Sequence, residues 1–188
     1  MMQYDSKKKL PGVDSRLNDR YHRLVAEHMN SSDPLSAGLK ALPDKISSFA
    51  STQAAWRFYR NESVSLPKLQ EPLTAAAHEG IREHCSLYAL CVHDWSHLSY
   101  KHLNKPDTYA ITHDTDVGYD LQTSLILSDQ TGQPLAPVAQ RLVSSDGSLA
   151  TYQEINPTAV IKHHLDEVTG CIQYLETQGF LKPLIHIR

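Results

Sequence analysis

Apolar positions along the chain keep helical spacing up to residue 84, and from Leu87 the pattern changes. Leu17, Tyr21 and Leu24 fall at i, i+4 and i+7, which predicts a helix over residues 16–30 with Ser15 as its N-cap. Turn residues at 30–34 and 41–45 bracket a short helical piece. Ser47 to Asn61 is rich in alanine and aromatics, which predicts a second helix with Ala55, Phe58 and Tyr59 facing the core. Leu66, Leu69 and Leu73 predict a third over 66–84, in which Pro72 marks a kink or a later start. After this the pattern shortens. Leu87 to Val92 is an apolar run of strand length, predicting a strand over 87–93 that ends on Asp94. Residues 105–116 read as a loop holding Asp107, Asp114 and Asp116. Tyr119 to Ser128 alternates, with Leu121, Thr123, Leu125 and Leu127 on one side. Asp129 to Pro134 then connects it to a returning strand from Leu135 to Ser144, followed by a loop over 144–147. A long helix over 157–178 has Pro157 near its start and Gly179 past its end. Ile161, Leu165, Val168, Ile172 and Leu175 give its apolar stripe. Leu181 to Ile187 reads as a last strand. The chain thus divides into an all-helical part, 1–84, and an α/β part, 85–188.

Composition permits a packed core. Of 188 residues, 40% are hydrophobic and 21% charged, so wholesale disorder is excluded. No apolar run approaches the ~18 residues of a membrane span, and Met1 to Leu10 has no apolar segment of a signal peptide. Cys85, Cys91 and Cys171 lack close paired spacing and read as reduced thiols, which implies a cytoplasmic protein.

Charge is distributed unevenly. Residues 1–60 hold ten Lys/Arg against six Asp/Glu, a balance of +4. The remainder holds eight against fifteen, or −7, and together they return the net −3. A basic front suits a polyanion, while the back supplies carboxylates. Lys7, Lys8 and Lys9 lie in an N-terminal arm. Arg16, Arg20 and Arg23 form a stripe beside the first helix's apolar face, and Arg57 and Arg60 project from the second at i and i+3. Such stripes are commonly solvated surface; arginine forks also match phosphate oxygens.

Asp94 is the candidate acid. A carboxylate at the end of a buried strand is a hard-oxygen ligand for Mg²⁺, although strand-end aspartates also serve turns. A histidine-rich metal site is the competing chemistry: there are 11 histidines, and His93, His97 and His102 lie near Asp94. The spacing of four between His93 and His97 argues for one face on a helix but not on a strand, while His163 and His164 point apart. No G-x-S-x-G turn supports a serine nucleophile.

The segment Ala55-Trp-Arg-Phe-Tyr-Arg-Asn61, followed about thirty residues later by Val92-His-Asp-Trp-Ser-His-Leu-Ser-Tyr100, resembles the DDE transposases of the transposon-5 type, in the insertion-sequence-4 family. The likeness extends from about Asp14 to Arg188. It implies a helical DNA-binding domain at 1–84, followed at 85–188 by the first half of a ribonuclease-H-like domain: three antiparallel strands, a helix and a fourth strand. By this resemblance Asp94 is the first catalytic, metal-binding aspartate, and Leu98 and Tyr100 match the trailing positions of its motif. Arg57 and Arg60, with Arg16, Arg20 and Arg23, are the expected DNA-binding residues. The implied cofactor is Mg²⁺ or Mn²⁺, and the implied partners are transposon-end duplex DNA, which would place the protein on the nucleoid, and further copies of the chain. Two departures accompany the likeness. Trp95-Ser96 replaces the family's Thr-Thr, and the family's second aspartate and its glutamate do not occur within these residues. The expectation is therefore end binding with an incomplete two-metal site that does not hold its ions stably, or a truncated regulatory remnant that binds DNA without cleaving it.

Overall fold

The computed structural model describes residues 8–29, 45–100, 107–111, 113–154 and 164–188. The short helical piece expected between residues 30 and 45, and the predicted start of the last helix at 157, lie outside these residues. The chain divides into two compact units, Met1–Lys68 and Leu69–Arg188.

In the first unit, α1 spans Ser15–Met29 and α2 spans Lys45–Tyr59. The cap of α1 is Asp14 rather than Ser15. Its Oδ1 accepts the Leu17 N–H at 2.8 Å, satisfying a donor that has no partner within the first turn. Tyr21 and Leu24 are buried as their spacing predicts, and Asn18 joins them because its Oδ1 accepts the Leu10 N–H. On α2, Ala55 and Phe58 are buried, and Phe58 stacks with Tyr21 at 6.4 Å between ring centroids. Tyr59 departs from expectation. It is 58% exposed, because one residue after Phe58 a side chain has turned about 100° away from the packed stripe.

Helix α3, Leu66–His84, spans the division between units, with Pro72 inside it. The division falls within α3 rather than at residue 84. The reason is packing: Ala77 and Ile81, on the second half of α3, belong to the sheet's core cluster.

The second unit is a mixed six-stranded sheet with helices, so the fold class is α+β, with four helices among the described residues. The strands are β1 Ala89–Ser99, β2 Tyr109–Ala110, β3 Val117–Ser128, β4 Pro134–Ser144, β5 Gly147–Ala150 and β6 Leu184–Ile187. Helix α4, His164–Glu176, precedes β6. The sheet order is β5-β4-β3-β1-β6, and β2 pairs with β3. The sequential neighbours β3, β4 and β5 are antiparallel, β1 is antiparallel to β3, and β6 lies parallel to β1.

Three sequence expectations are corrected here. The first strand does not stop before Asp94. It continues to Ser99, paired throughout with β3 from Ala89↔Ser128 to Ser99↔Gly118. Within the expected loop before residue 116, Tyr109–Ala110 pairs with β3, and after the turn at 145–146 the chain returns as β5. The buried stripe of α4 is Glu167, Val168, Cys171 and Leu175; Leu165 is 63% exposed.

The core gathers Ala77 and Ile81 of α3, Cys171 and Leu175 of α4, and Ala89, Cys91, Ile126, Val138 and Ala139 of the sheet. Asp129 fixes the entry to β1. Its carboxylate accepts the backbone N–H groups of Leu87, Ser86 and Tyr88, which hold its pKa below the usual carboxylate value.

Gly118 sets how closely β1 approaches β3. A Cβ at this position would lie 2.0 Å from the Leu98 carbonyl oxygen, a backbone atom that cannot rotate away. Gly118→Ala is expected to lower stability by about 1–3 kcal/mol, the usual cost of overpacking. An unchanged midpoint in urea denaturation would show that the far end of β1 is not held as described.

Candidate metal centre and acidic strand

Strand β1 carries different chemistry on its two faces. Its alternation places Ala89, Cys91, His93, Trp95 and His97 on one face, and Leu90, Val92, Asp94, Ser96 and Leu98 on the other.

The first face lies under α4. Cys91 and His93 are buried there, at 0% and 3% exposure. His186 of β6 is the cross-strand partner of Cys91, so its side chain shares this face. The ligand-capable atoms of Cys91, His93 and His186 all lie within 4.8 Å of one another. His93 Nε2 stands 2.9 Å from His186 Nδ1, with the rings stacked at 5.1 Å between centroids. His93 Nδ1 is 2.9 Å from Ser124 Oγ. That oxygen accepts from Gln122 Nε2 and lies 3.0 Å from Cys171 Sγ.

Burial and the neighbouring imidazole of His186 push the His93 pKa down to about 4, and burial lowers His186 as well. Burial and the nearby Cys171 thiol raise Cys91 to about 12. Without an ion, this is a neutral hydrogen-bonded pair beside a protonated thiol. Such a cluster suits borderline and soft metals, not Mg²⁺, which requires oxygen ligands.

Polar side chains continue along the same face. Trp95 Nε1–H donates to Glu167 Oε2 of α4 at 3.0 Å, and His97 Nδ1 lies 3.0 Å from Asp120 Oδ1. The buried Arg141 donates to the Tyr152 hydroxyl and to Ser148 Oγ. Tyr109 is raised to about 12 by burial and by the charges of Asp120 and Glu167.

On the opposite face, Asp94 is exposed and has Thr123 as its cross-strand neighbour. Strand β6 pairs with β1 only from Ala89 to Val92. Asp94 therefore lies just past the end of β6, and the Arg188 guanidinium sits 5.2 Å from the Trp95 ring. Among the described residues, no group of three or more close metal-ligating side chains includes Asp94. One carboxylate does not fit a two-ion Mg²⁺ site.

Four of the five expected DNA-binding residues lie in α1 and α2, and Arg60 lies one residue past the end of α2. Arg16 and Arg23 are exposed on α1, and Arg20 is partly buried. Arg57 is exposed on α2 and Arg60 is exposed just past its end, where the Arg60 guanidinium lies 4.4 Å from the centre of the Trp56 ring. Trp56 and Phe49 are also exposed, so Phe49, Trp56 and Arg60 share a face at i, i+7 and i+11.

The sequence rejected a histidine cluster for the wrong reason. On a strand, residues four apart do share a face, and His93 and His97 do so. They nevertheless have different partners, His186 and Asp120, because two strand repeats separate them. His102 lies outside the described residues. His186 was missed as a partner because only the parallel register reveals it, although both His93 and His186 interrupt apolar runs. No family model matches the chain, and no curated protein matches it in sequence. No helix among the described residues is long and apolar enough to cross a membrane.

The His93 shift gives a pH dependence of known sign. Below about pH 6.5 the unfolded chain protonates this imidazole, while the folded chain keeps it neutral until about pH 4. The stabilisation is therefore complete above about pH 6.5 and is lost progressively as pH falls towards 4. The whole span is worth up to ~3 kcal/mol. With chelator present, urea midpoints should fall across this window and His93→Gln should flatten the fall. An equally steep fall in the variant would contradict the assignment.

Proposed function

We propose that the chain is the DNA-end-binding part of a transposase of the transposon-5 type, with Asp94 in the position of the first catalytic acid. The observation that carries this reading is the placement of Asp94. β1, β3 and β4 run antiparallel in sequence, α4 follows, and β6 returns parallel beside β1. This is the order expected of the front half of a ribonuclease-H-like domain, and Asp94 lies where β1 passes the end of β6. The fit to Mg²⁺ fails on the single carboxylate, so no cleavage step is assigned to these residues.

The binding role rests on the helices of the first unit. Arg16, Arg20 and Arg23 give α1 a basic stripe, and the C-terminal end of α2 brings Arg57 and the following Arg60 beside the exposed Trp56 and Tyr59. Phosphate takes arginine in forked pairs, and aromatic side chains offer stacking surface to bases. The partner is duplex DNA, on which further copies of the chain assemble.

Salt dependence tests the reading. Fluorescence anisotropy of a labelled duplex carrying the ends of the element encoding this chain should show log K falling with log salt by roughly 0.9 per phosphate contact. If all five arginines contact phosphate, the slope is about −4 to −5. Replacing Arg57 and Arg60 together by alanine should reduce its magnitude by about 2, while Asp94→Ala leaves it unchanged. No binding, or binding indifferent to salt, overturns the proposal.

A further inference from the structure

We propose that Cys91, His93 and His186 form a zinc site that fastens β6 to β1, with its fourth coordination position open to the adjoining cavity. The site is separate from Asp94, which occupies the other face of β1, and it stands whether or not the chain binds DNA.

The donor set comes from two strands in register. Cys91 and His93, two residues apart on β1, point the same way, and His186 faces them from β6. Thiolate and imidazole are zinc's usual ligands, at about 2.3 Å for sulfur and 2.0–2.1 Å for nitrogen. Tetrahedral bonding at those lengths sets the two nitrogens roughly 3.3 Å apart. They stand at 2.9 Å as a hydrogen-bonded pair. An ion entering between them has to part the rings by only a few tenths of an ångström and draw the sulfur inward.

The proton arrangement suits the same ion. Metal binding requires a bare lone pair on His93 Nε2, so the proton of that ring must sit on Nδ1. Ser124 Oγ lies 2.9 Å from Nδ1, where it can accept a hydrogen bond from that N–H and so support the required tautomer. On His186 the proton sits on Nε2 when the ion is bound, which leaves Nδ1 bare for it. The Cys91 proton leaves to solvent as the thiolate bonds to zinc.

The approach to the site is at His186. His186 is partly exposed and lines a cavity of about 320 Å³, whose wall includes Glu176, Phe180, Lys182 and Pro183. The negative charge of Glu176 acts on His186 and favours a cation beside it, against the opposing charge of Lys182. Three protein ligands leave a fourth place for water or for a small donor entering from the cavity.

Such an ion has a structural task. β6 is held to β1 over four residue pairs, Ala89↔Leu184 to Val92↔Ile187. Bonds from both strands to one zinc make that short pairing resistant to fraying.

Cobalt reports this geometry directly. The full chain, reduced and freed of metal, is titrated with Co²⁺ and followed by absorption. One equivalent should produce the strong visible bands of tetrahedral cobalt together with a thiolate-to-cobalt charge-transfer band, and Zn²⁺ should abolish both. Cys91→Ser should remove the charge-transfer band. Ser124→Ala should weaken binding by about 10-fold or more. His97→Ala, which alters a histidine on the same face outside the trio, should leave the spectrum intact. A weak octahedral spectrum in the folded wild-type chain overturns the site, as does a charge-transfer band that survives in Cys91→Ser.

Discussion

The constraint on which the second unit depends is the burial of polar side chains between the sheet and α4. Asp120, Gln122, Ser124, Arg141, Ser148 and Glu167 are all at most 6% exposed. A buried polar group costs free energy unless it is paired. The pairing found here is specific: Trp95 to Glu167, Arg141 to Tyr152 and Ser148, and Ser124 to His93, Gln122 and Cys171. Each of these contacts fails if a strand slips by one residue, because a slip exchanges the two faces. The polar layer therefore fixes register where apolar packing alone would tolerate alternatives.

That layer explains what could be read in the sequence and what could not. Helix and strand types followed from periodicity, and α3 has the predicted bounds. The depth of each face did not follow. On β3 the apolar residues Leu121, Leu125 and Leu127 are half-buried, while Asp120, Gln122 and Ser124 are buried. Ordinary alternation assigns the polar side to water, so the sequence pointed away from this face. The early end given to β1 has a related cause. Asp94 looks like a terminator, but Trp95 to Ser99 still find partners on β3. β2 and β5 escaped notice because two and four residues carry too little pattern.

Asp94 could be singled out in the sequence because an acid closing an apolar run is conspicuous. The Cys91–His93–His186 trio could not, since His186 lies 93 residues beyond His93 and meets it only through a parallel pairing across α4. Strand β1 consequently serves two chemistries. Its exposed face carries the single carboxylate of Asp94 beyond the end of β6, and its buried face carries a sulfur and nitrogen set beneath α4.

Cross-linking to DNA tests the central claim most directly. The full chain would be irradiated on a duplex substituted with photoreactive thymidine analogues at the element's ends, and the linked peptides identified by mass spectrometry. The account predicts links on the exposed face of α2, at or beside Trp56 and Tyr59, and on the arginine stripe of α1. Links confined to α4 and the cavity around His186, or no links at all, would contradict it.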